Sequence, residues 1–144
     1  MEDINKLKEV MFNAADEAAR IQLEYFEKDF EIGRKLNYSD LVTEVDKKSE
    51  ARIIEIIHET FPSHNVLGEE GGDQHRISDY VWIVDPIDGT VNYAHSVPIF
   101  CVSIAVEYKG EVILGVVYSP KTNEKFHAEK GKGVRALIVA PTRE

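Results

Sequence analysis

The stretch Trp82-Ile83-Val84-Asp85-Pro86-Ile87-Asp88-Gly89-Thr90 decides how the rest of the chain is read. Trp82 to Val84 are apolar and predict a buried strand. Asp85 stands where that strand should end, because Pro86 keeps the preceding residue out of helical geometry and has no N–H for a ladder. Ile87 separates Asp85 from a second carboxylate, Asp88. Gly89 permits a sharp turn, and Thr90 is placed to open a helix with its hydroxyl as the cap. Two acids on a bent backbone, followed by helix-start amides, make a candidate cradle for a hard cation and a phosphate. Carboxylates and carbonyl oxygens suit Mg²⁺, and N–H groups at a helix start suit an anion.

Upstream of this stretch, residues from about Asp3 to Phe30 read as one long helix. Ile4, Leu7, Met11, Ala14, Ala15, Ala18 and Ile21 recur at three- and four-residue spacing and form one apolar stripe. Gly33, Asn37 and Ser39 break the pattern. A second helix is expected to follow Asp40-Leu41-Val42-Thr43-Glu44-Val45-Asp46 and run to about Thr60. Thr43 or Asp46 would serve as its cap, and Ile53, Ile54, Ile56 and Ile57 as its buried side. Phe61-Pro62 ends it. Val66-Leu67 is a short apolar strand running into Gly68-Glu69-Glu70-Gly71-Gly72. Two adjacent acids between glycines read either as a solvated turn or as part of a site. Gly71 to Asp79 is polar and predicts a mobile loop.

Downstream, Val91 to Val97 reads as a short helix or turn and Ile99 to Tyr108 as a strand. Lys109-Gly110 is a tight turn. Glu111 to Ser119 is its hairpin partner, and Glu124 to Glu129 a further strand. Gly131-Lys132-Gly133 turns again before a last apolar run, Arg135 to Ala140. Two helices followed by hairpin-linked strands predict an α+β fold, with two long helices packed on an antiparallel β-sheet.

The chain has 144 residues, 43% hydrophobic and 30% charged, which predicts one soluble globular domain with a core. The net charge of -9, from 26 acids against 17 Lys and Arg, argues against a general nucleic-acid binder. It is compatible with a small phosphorylated substrate, because bound cations reverse the local field. A single cysteine, Cys101, excludes an internal disulfide and sits in an apolar run. The start has no basic region followed by an apolar run, and no stretch reads as a transmembrane span. Cytoplasmic residence is the expectation.

The sequence resembles the inositol monophosphatase family, within the Mg²⁺-dependent, lithium-sensitive sugar phosphatases. The residues that carry the resemblance are Asp40-Leu41-Val42-Thr43 with Asp46, Gly68-Glu69-Glu70, and Asp85-Pro86-Ile87-Asp88-Gly89-Thr90 with Asn92. Pro98, Val102-Ser103-Ile104 and Gly115-Val116-Val117 followed by Pro120 add to it. The resemblance covers roughly residues 1 to 134. It implies that Glu69, Asp85 and the Ile87 carbonyl bind a first Mg²⁺, and that Asp85 and Asp88 bind a second. It further implies that Gly89 and Thr90 offer backbone N–H groups to the substrate phosphate. The Thr90 hydroxyl and Asp46 would then orient and deprotonate the attacking water, with Glu70 in support. The implied reaction is hydrolysis of inositol monophosphate or a related sugar phosphate, with no membrane or nucleic-acid partner and a homo-oligomeric state. Lys35 is an expected basic residue near the site.

Two features depart from the family pattern. Members are roughly twice this length, and a later Trp-Asp motif completes their second metal site, whereas the single Trp here is Trp82. An alternative reading is therefore a truncated, inactive metal-binding half-domain that oligomerises through an exposed face. Residues 135–144 form an atypical end, similar to a strand and Pro-Thr-Arg-Glu loop of DEAD-box helicases, so the expected division is 1–134 and 135–144. No Gly-Lys-Ser/Thr phosphate loop accompanies that end.

Overall fold

The computed structural model describes residues 1–26 and 38–138, without the side chains of 38–39 and 134–138. The expected helical stretch beyond Phe26, the breakers Gly33 and Asn37, Lys35 and the end of the chain lie outside these residues.

Helix α1 spans Ile4–Tyr25. Asp3 caps it, its carboxylate accepting from the Asn5 amide at 3.0 Å, which satisfies one of the orphan donors of the first turn. Its apolar stripe is buried, with Leu7, Met11, Ala14, Ala15 and Ala18 fully inaccessible. Helix α2 spans Tyr38–Thr60. It therefore starts before the Asp-Leu-Val-Thr motif, and neither Thr43 nor Asp46 is its cap; both lie inside the helix. The reason is visible in the spacing. Val42, Val45, Ile53, Ile56 and Ile57 all face the interior, so packing carries the helical period through residues whose local preference is for a boundary.

Six strands form one sheet in sequence order: β1 Asn65–Gly68, β2 Tyr80–Asp88, β3 Cys101–Tyr108, β4 Glu111–Ser119, β5 Glu124–Glu129 and β6 Lys132–Ile138. The α+β class with helices on one face of the sheet is as expected. One pairing departs from the antiparallel pattern: β1 runs parallel to β2. The turn between β3 and β4 has Lys109 at φ 52° and Gly110 at φ 80°, the pair of left-handed residues that a two-residue hairpin requires. Helix α3, Thr90–Ala94, follows β2 directly.

The two faces of the sheet differ. Val66, Trp82, Val84, Ile104, Val106, Leu114 and Val116 point to α1 and α2 and form the main core. Trp82 is wholly buried, and its indole N–H donates to His64 Nδ1 at 3.0 Å. That bond fixes His64 as the Nε2–H tautomer, 3.3 Å from the Glu2 carboxylate. Burial holds the His64 pKa below its ordinary value. The opposite face carries the cross-strand row Leu67, Ile83, Ala105, Gly115 and Ala128, without a charge. A second, smaller core gathers Ile21, Val42, Val45, Ile87, Tyr93 and Phe100 from all three helices and the end of β2. Among the described residues no helix is long and apolar enough to cross a membrane.

Candidate metal and phosphate site

The acidic residues singled out by sequence come from three elements. Asp46 lies on α2, Glu69 and Glu70 on the turn after β1, and Asp85 and Asp88 on the end of β2. The parallel β1–β2 pair explains the meeting of the last two sets. Gly68, the last residue of β1, pairs with Val84, so Glu69 and Asp85 follow side by side from the paired strands.

Strand β2 does not stop at Asp85. It continues to Asp88, with a register shift against β3 between Asp85, opposite Ser103, and Asp88, opposite Cys101. An irregularity of this kind accommodates Pro86, which cannot donate to a ladder. It also re-aims the side chains: Ile87 is 1% exposed and sits in the smaller core, while Asp88 faces solvent. The Gln22 amide donates to the Pro86 carbonyl from α1, and the Tyr93 hydroxyl donates to the Gln22 carbonyl at 2.7 Å. The bend is thus fastened to α1 and α3 from below.

Gly89, not Thr90, is the cap residue of α3, at φ 99° and ψ 41°, and no side chain caps this helix. Thr90 is its first helical residue, which corrects the expected capping role of its hydroxyl. A Cβ at Gly89 would come within 3.0 Å of the Ile99 carbonyl and 3.3 Å of Phe100 Cα. The approach of β3 and the left-handed backbone both call for glycine there. Asn92 donates to the Ile99 carbonyl at 2.9 Å and so braces the segment after the turn.

The turn after β1 is held differently. Glu50 is 3% exposed. Its two carboxylate oxygens accept from the Glu70 amide at 3.0 Å and the Gly72 amide at 3.1 Å. Glu69 and Glu70 themselves are exposed. The polar segment beyond is tied back by backbone bonds between Val66 and Asp73 at 2.7 Å in both directions. Asn65 adds side-chain bonds to Arg76 at 2.7 and 2.9 Å.

The electrostatics mark the place where these elements meet. Asp46 is pushed up to about 7, first by burial and then by the charges of Glu69, Glu70, Asp85 and Glu50. Asp85 is pushed up to about 6 by burial, then by Glu69 and Asp88, with the Ile87 amide acting in the opposite direction. One oxygen of Asp46 and one of Asp85 are buried without a hydrogen-bond partner. Buried carboxylate oxygens that repel one another and lack donors are what a cation satisfies. The donor set is all oxygen, which suits a hard ion such as Mg²⁺. The Cys101 thiol beside Asp88 is pushed up to about 11, chiefly by burial and then by Asp88 and Asp85, and so stays protonated at neutral pH. Among the described residues no three His, Cys, Asp or Glu side chains are already gathered around one point. The exposed Glu69 and Asp88 are the arms free to close on an ion.

Sequence reasoning singled out the acids but not their supports. Glu50 shares the buried stripe of α2 with Asp46 and Ile53 at three- and four-residue spacing, and that was the available signal. Gln22 likewise continues the stripe of Ala15 and Ala18 on α1.

Comparison with known proteins agrees with this geometry. The model of the inositol monophosphatase family matches residues 3–136. The chain is 44% identical over 117 residues to the inositol-1-monophosphatase of Bacillus subtilis, covering 78% of this chain and 44% of that protein. It is 43% identical over 131 residues to the Nus factor SuhB of Haemophilus influenzae, covering 87% and 49%. The crystal structure of inositol monophosphatase II from Staphylococcus aureus superposes with a TM-score of 0.79 at 34% identity, covering 96% of this chain and 52% of that one. The chain therefore spans about half the length of the relatives it matches. A family model covering nearly all of the chain, and a fold that brings its three acidic motifs together, lead to one conclusion: the chain belongs to the inositol monophosphatase family.

Proposed function

We propose that this chain carries the metal- and phosphate-binding part of a Mg²⁺-dependent phosphomonoesterase that hydrolyses inositol monophosphate or a related small sugar phosphate. The observation that carries the reading is the pair Asp46 and Asp85, both pushed up by burial and by the neighbouring charges of Glu69, Glu70 and Asp88, each with a buried, unpartnered oxygen. Glu69, Asp85 and the Ile87 carbonyl would hold one Mg²⁺, and Asp85 with Asp88 a second. When bound, Mg²⁺ would neutralise the phosphoryl oxygens and make water a better nucleophile. The Gly89 and Thr90 amides at the start of α3 receive the phosphate. Asp46 and the Thr90 hydroxyl orient a water for in-line attack on phosphorus, and Glu70 supports that water. A new P–O bond forms from water while the ester P–O bond breaks. The water proton passes to Asp46 as the general base. The alcohol leaves with a proton from solvent, and no covalent enzyme intermediate is involved.

The net charge of -9 favours a cation-loaded site for a small anion over a nucleic-acid surface, in a cytoplasmic homo-oligomer without a membrane partner. A second reading, a non-catalytic metal-binding half that associates with further copies, is favoured by exposed apolar side chains on the outer face of the sheet. There Leu67, Val117 and Phe126 are each 40–45% exposed. Phosphate release from inositol 1-phosphate across a Mg²⁺ titration, with Asp85→Asn alongside, separates the two. The phosphatase reading predicts metal-dependent turnover that the variant loses. A folded wild-type protein that turns over no faster than the variant would overturn it and leave the second reading.

A further inference from the structure

The turn that bears Glu69 and Glu70 has no apolar anchor of its own. Glu69 and Glu70 are exposed, Gly71 stands at φ 111° and Gly72 at φ 59°. Left to itself, such a segment samples many conformations. Backbone bonds between Val66 and Asp73 close its base, and within the turn one buried side chain from another element restrains it. Glu50 reaches out of α2 and accepts from the amides of Glu70 and Gly72, one bond to each oxygen. Two amides that follow Glu69 are thereby fixed to the same helix that carries Asp46, one turn earlier. Gly68 completes the fit, because a Cβ at that position would overlap the Glu50 carboxylate.

We infer that Glu50 is a positioning residue for cation binding: it locks the Gly68–Gly72 turn so that Glu69 is presented to Asp85. The inference rests on the metal-site reading above and adds a residue that does not itself touch the ion. A carboxylate is suited to the task because it offers two acceptors and no donor, matching two amides at once. A glutamine of the same size offers one acceptor and turns an NH₂ toward the other amide.

The test uses Mn²⁺ alone, with free ion read from its electron paramagnetic resonance signal, at a temperature where circular dichroism shows every variant folded. Loss of a supporting residue of this kind costs about 10- to 100-fold in metal affinity. The expected order of affinity is wild type, then Glu50→Gln, then Glu50→Ala. Hydrogen exchange should show the Glu70 and Gly72 amides losing protection in Glu50→Ala while the β3 and β4 amides keep theirs. Gly68→Ala supplies an independent arm. It should weaken Mn²⁺ binding in the wild-type background and do so less in Glu50→Ala, since the overlap is with the Glu50 side chain. Unchanged affinity in Glu50→Ala, with Asp85→Asn weakened, overturns the positioning role and leaves the metal site standing. A lowered melting temperature with unchanged affinity does the same. Equal Mn²⁺ binding by wild type and Asp85→Asn overturns the metal reading, and this inference with it.

Discussion

The two acidic turns are held in place by opposite means. The Asp85–Thr90 turn is the continuation of a central strand. Its middle residue, Ile87, is buried among Ile21, Val42, Val45, Tyr93 and Phe100, and Gln22 fastens its Pro86 carbonyl. The Gly68–Gly72 turn has no such core; it is closed by the Val66–Asp73 backbone bonds and held by one borrowed carboxylate, Glu50. The first is rigid by packing, the second by hydrogen bonds. Their difference teaches how stability and metal affinity are divided. Disturbing the strand-end turn should cost the whole fold, whereas disturbing the other should cost the ion more than the fold.

The sharpest way to break this contrast is Ile87→Ala. Emptying that pocket should cost about 2–5 kcal/mol of stability in urea unfolding, with metal affinity falling as a consequence. A cost below about 1 kcal/mol would show that the smaller core does not hold the turn.

Next in size is the pH dependence of the metal-free protein. Asp46 titrates near 7 in the folded chain against an ordinary value of 3.8. Between those values the folded state keeps a proton that the unfolded state has released. Stability therefore falls as pH rises from about 4 to about 7, by on the order of a few kcal/mol, and levels off above that. Mg²⁺ should remove most of the slope, and Asp46→Asn its own part, leaving the smaller contribution of Asp85, which is pushed up to about 6. Urea midpoints at about pH 5 and about pH 8, with and without Mg²⁺, check the sign. A metal-free protein that is more stable at the higher pH would contradict the assignment.

Glycine replacement sharpens the comparison from both sides. Gly89→Ala meets the Ile99–Phe100 backbone just before β3 at a left-handed φ, and Gly72→Ala would overlap the Val66 carbonyl at another. Each should cost about 1–3 kcal/mol. Calorimetric melting should place Gly72→Ala lower than Gly89→Ala, because its Cβ would overlap the Val66 carbonyl outright, whereas at Gly89 a Cβ would lie 3.0 Å from the Ile99 carbonyl. The smallest expected effect is Tyr93→Phe, which removes the bond to the Gln22 carbonyl and should cost about 1 kcal/mol. A change of that size in thermal unfolding, without a change in metal affinity, would confine this hydroxyl to supporting the fold.

Much of this arrangement was legible before the structure. The turns at Lys109-Gly110, Pro120–Asn123 and Gly131–Gly133 placed β4 and β5 at their observed bounds, because strands bounded by turn residues leave little freedom. The motifs Asp85–Thr90 and Gly68–Gly72 identified the site region, since acids beside glycines and a proline are costly to keep for structure alone. Other features were hidden for physical reasons. Thr43 and Asp46 look like a helix start, yet the apolar period of Leu41, Val42 and Val45 carries α2 through them. Pro86 looked like a strand terminator, but the bulge let β2 run on to Asp88. The parallel pairing of β1 with β2 depends on a crossover that no local pattern encodes. Glu50 reads as one more acid on a charged helix, and its partners lie 20 and 22 residues away. A long-range acceptor of this kind becomes visible only when the turn it serves is in place.

The central claim is that the two turns bind one cation jointly. Calorimetric Mg²⁺ titration of wild type, Glu69→Gln, Asp85→Asn and the double variant tests it most directly. Joint coordination predicts that each single substitution removes most of the affinity and that the double loses little more. A Glu69→Gln protein that binds Mg²⁺ as tightly as wild type would contradict it and assign the ion to the strand-end turn alone.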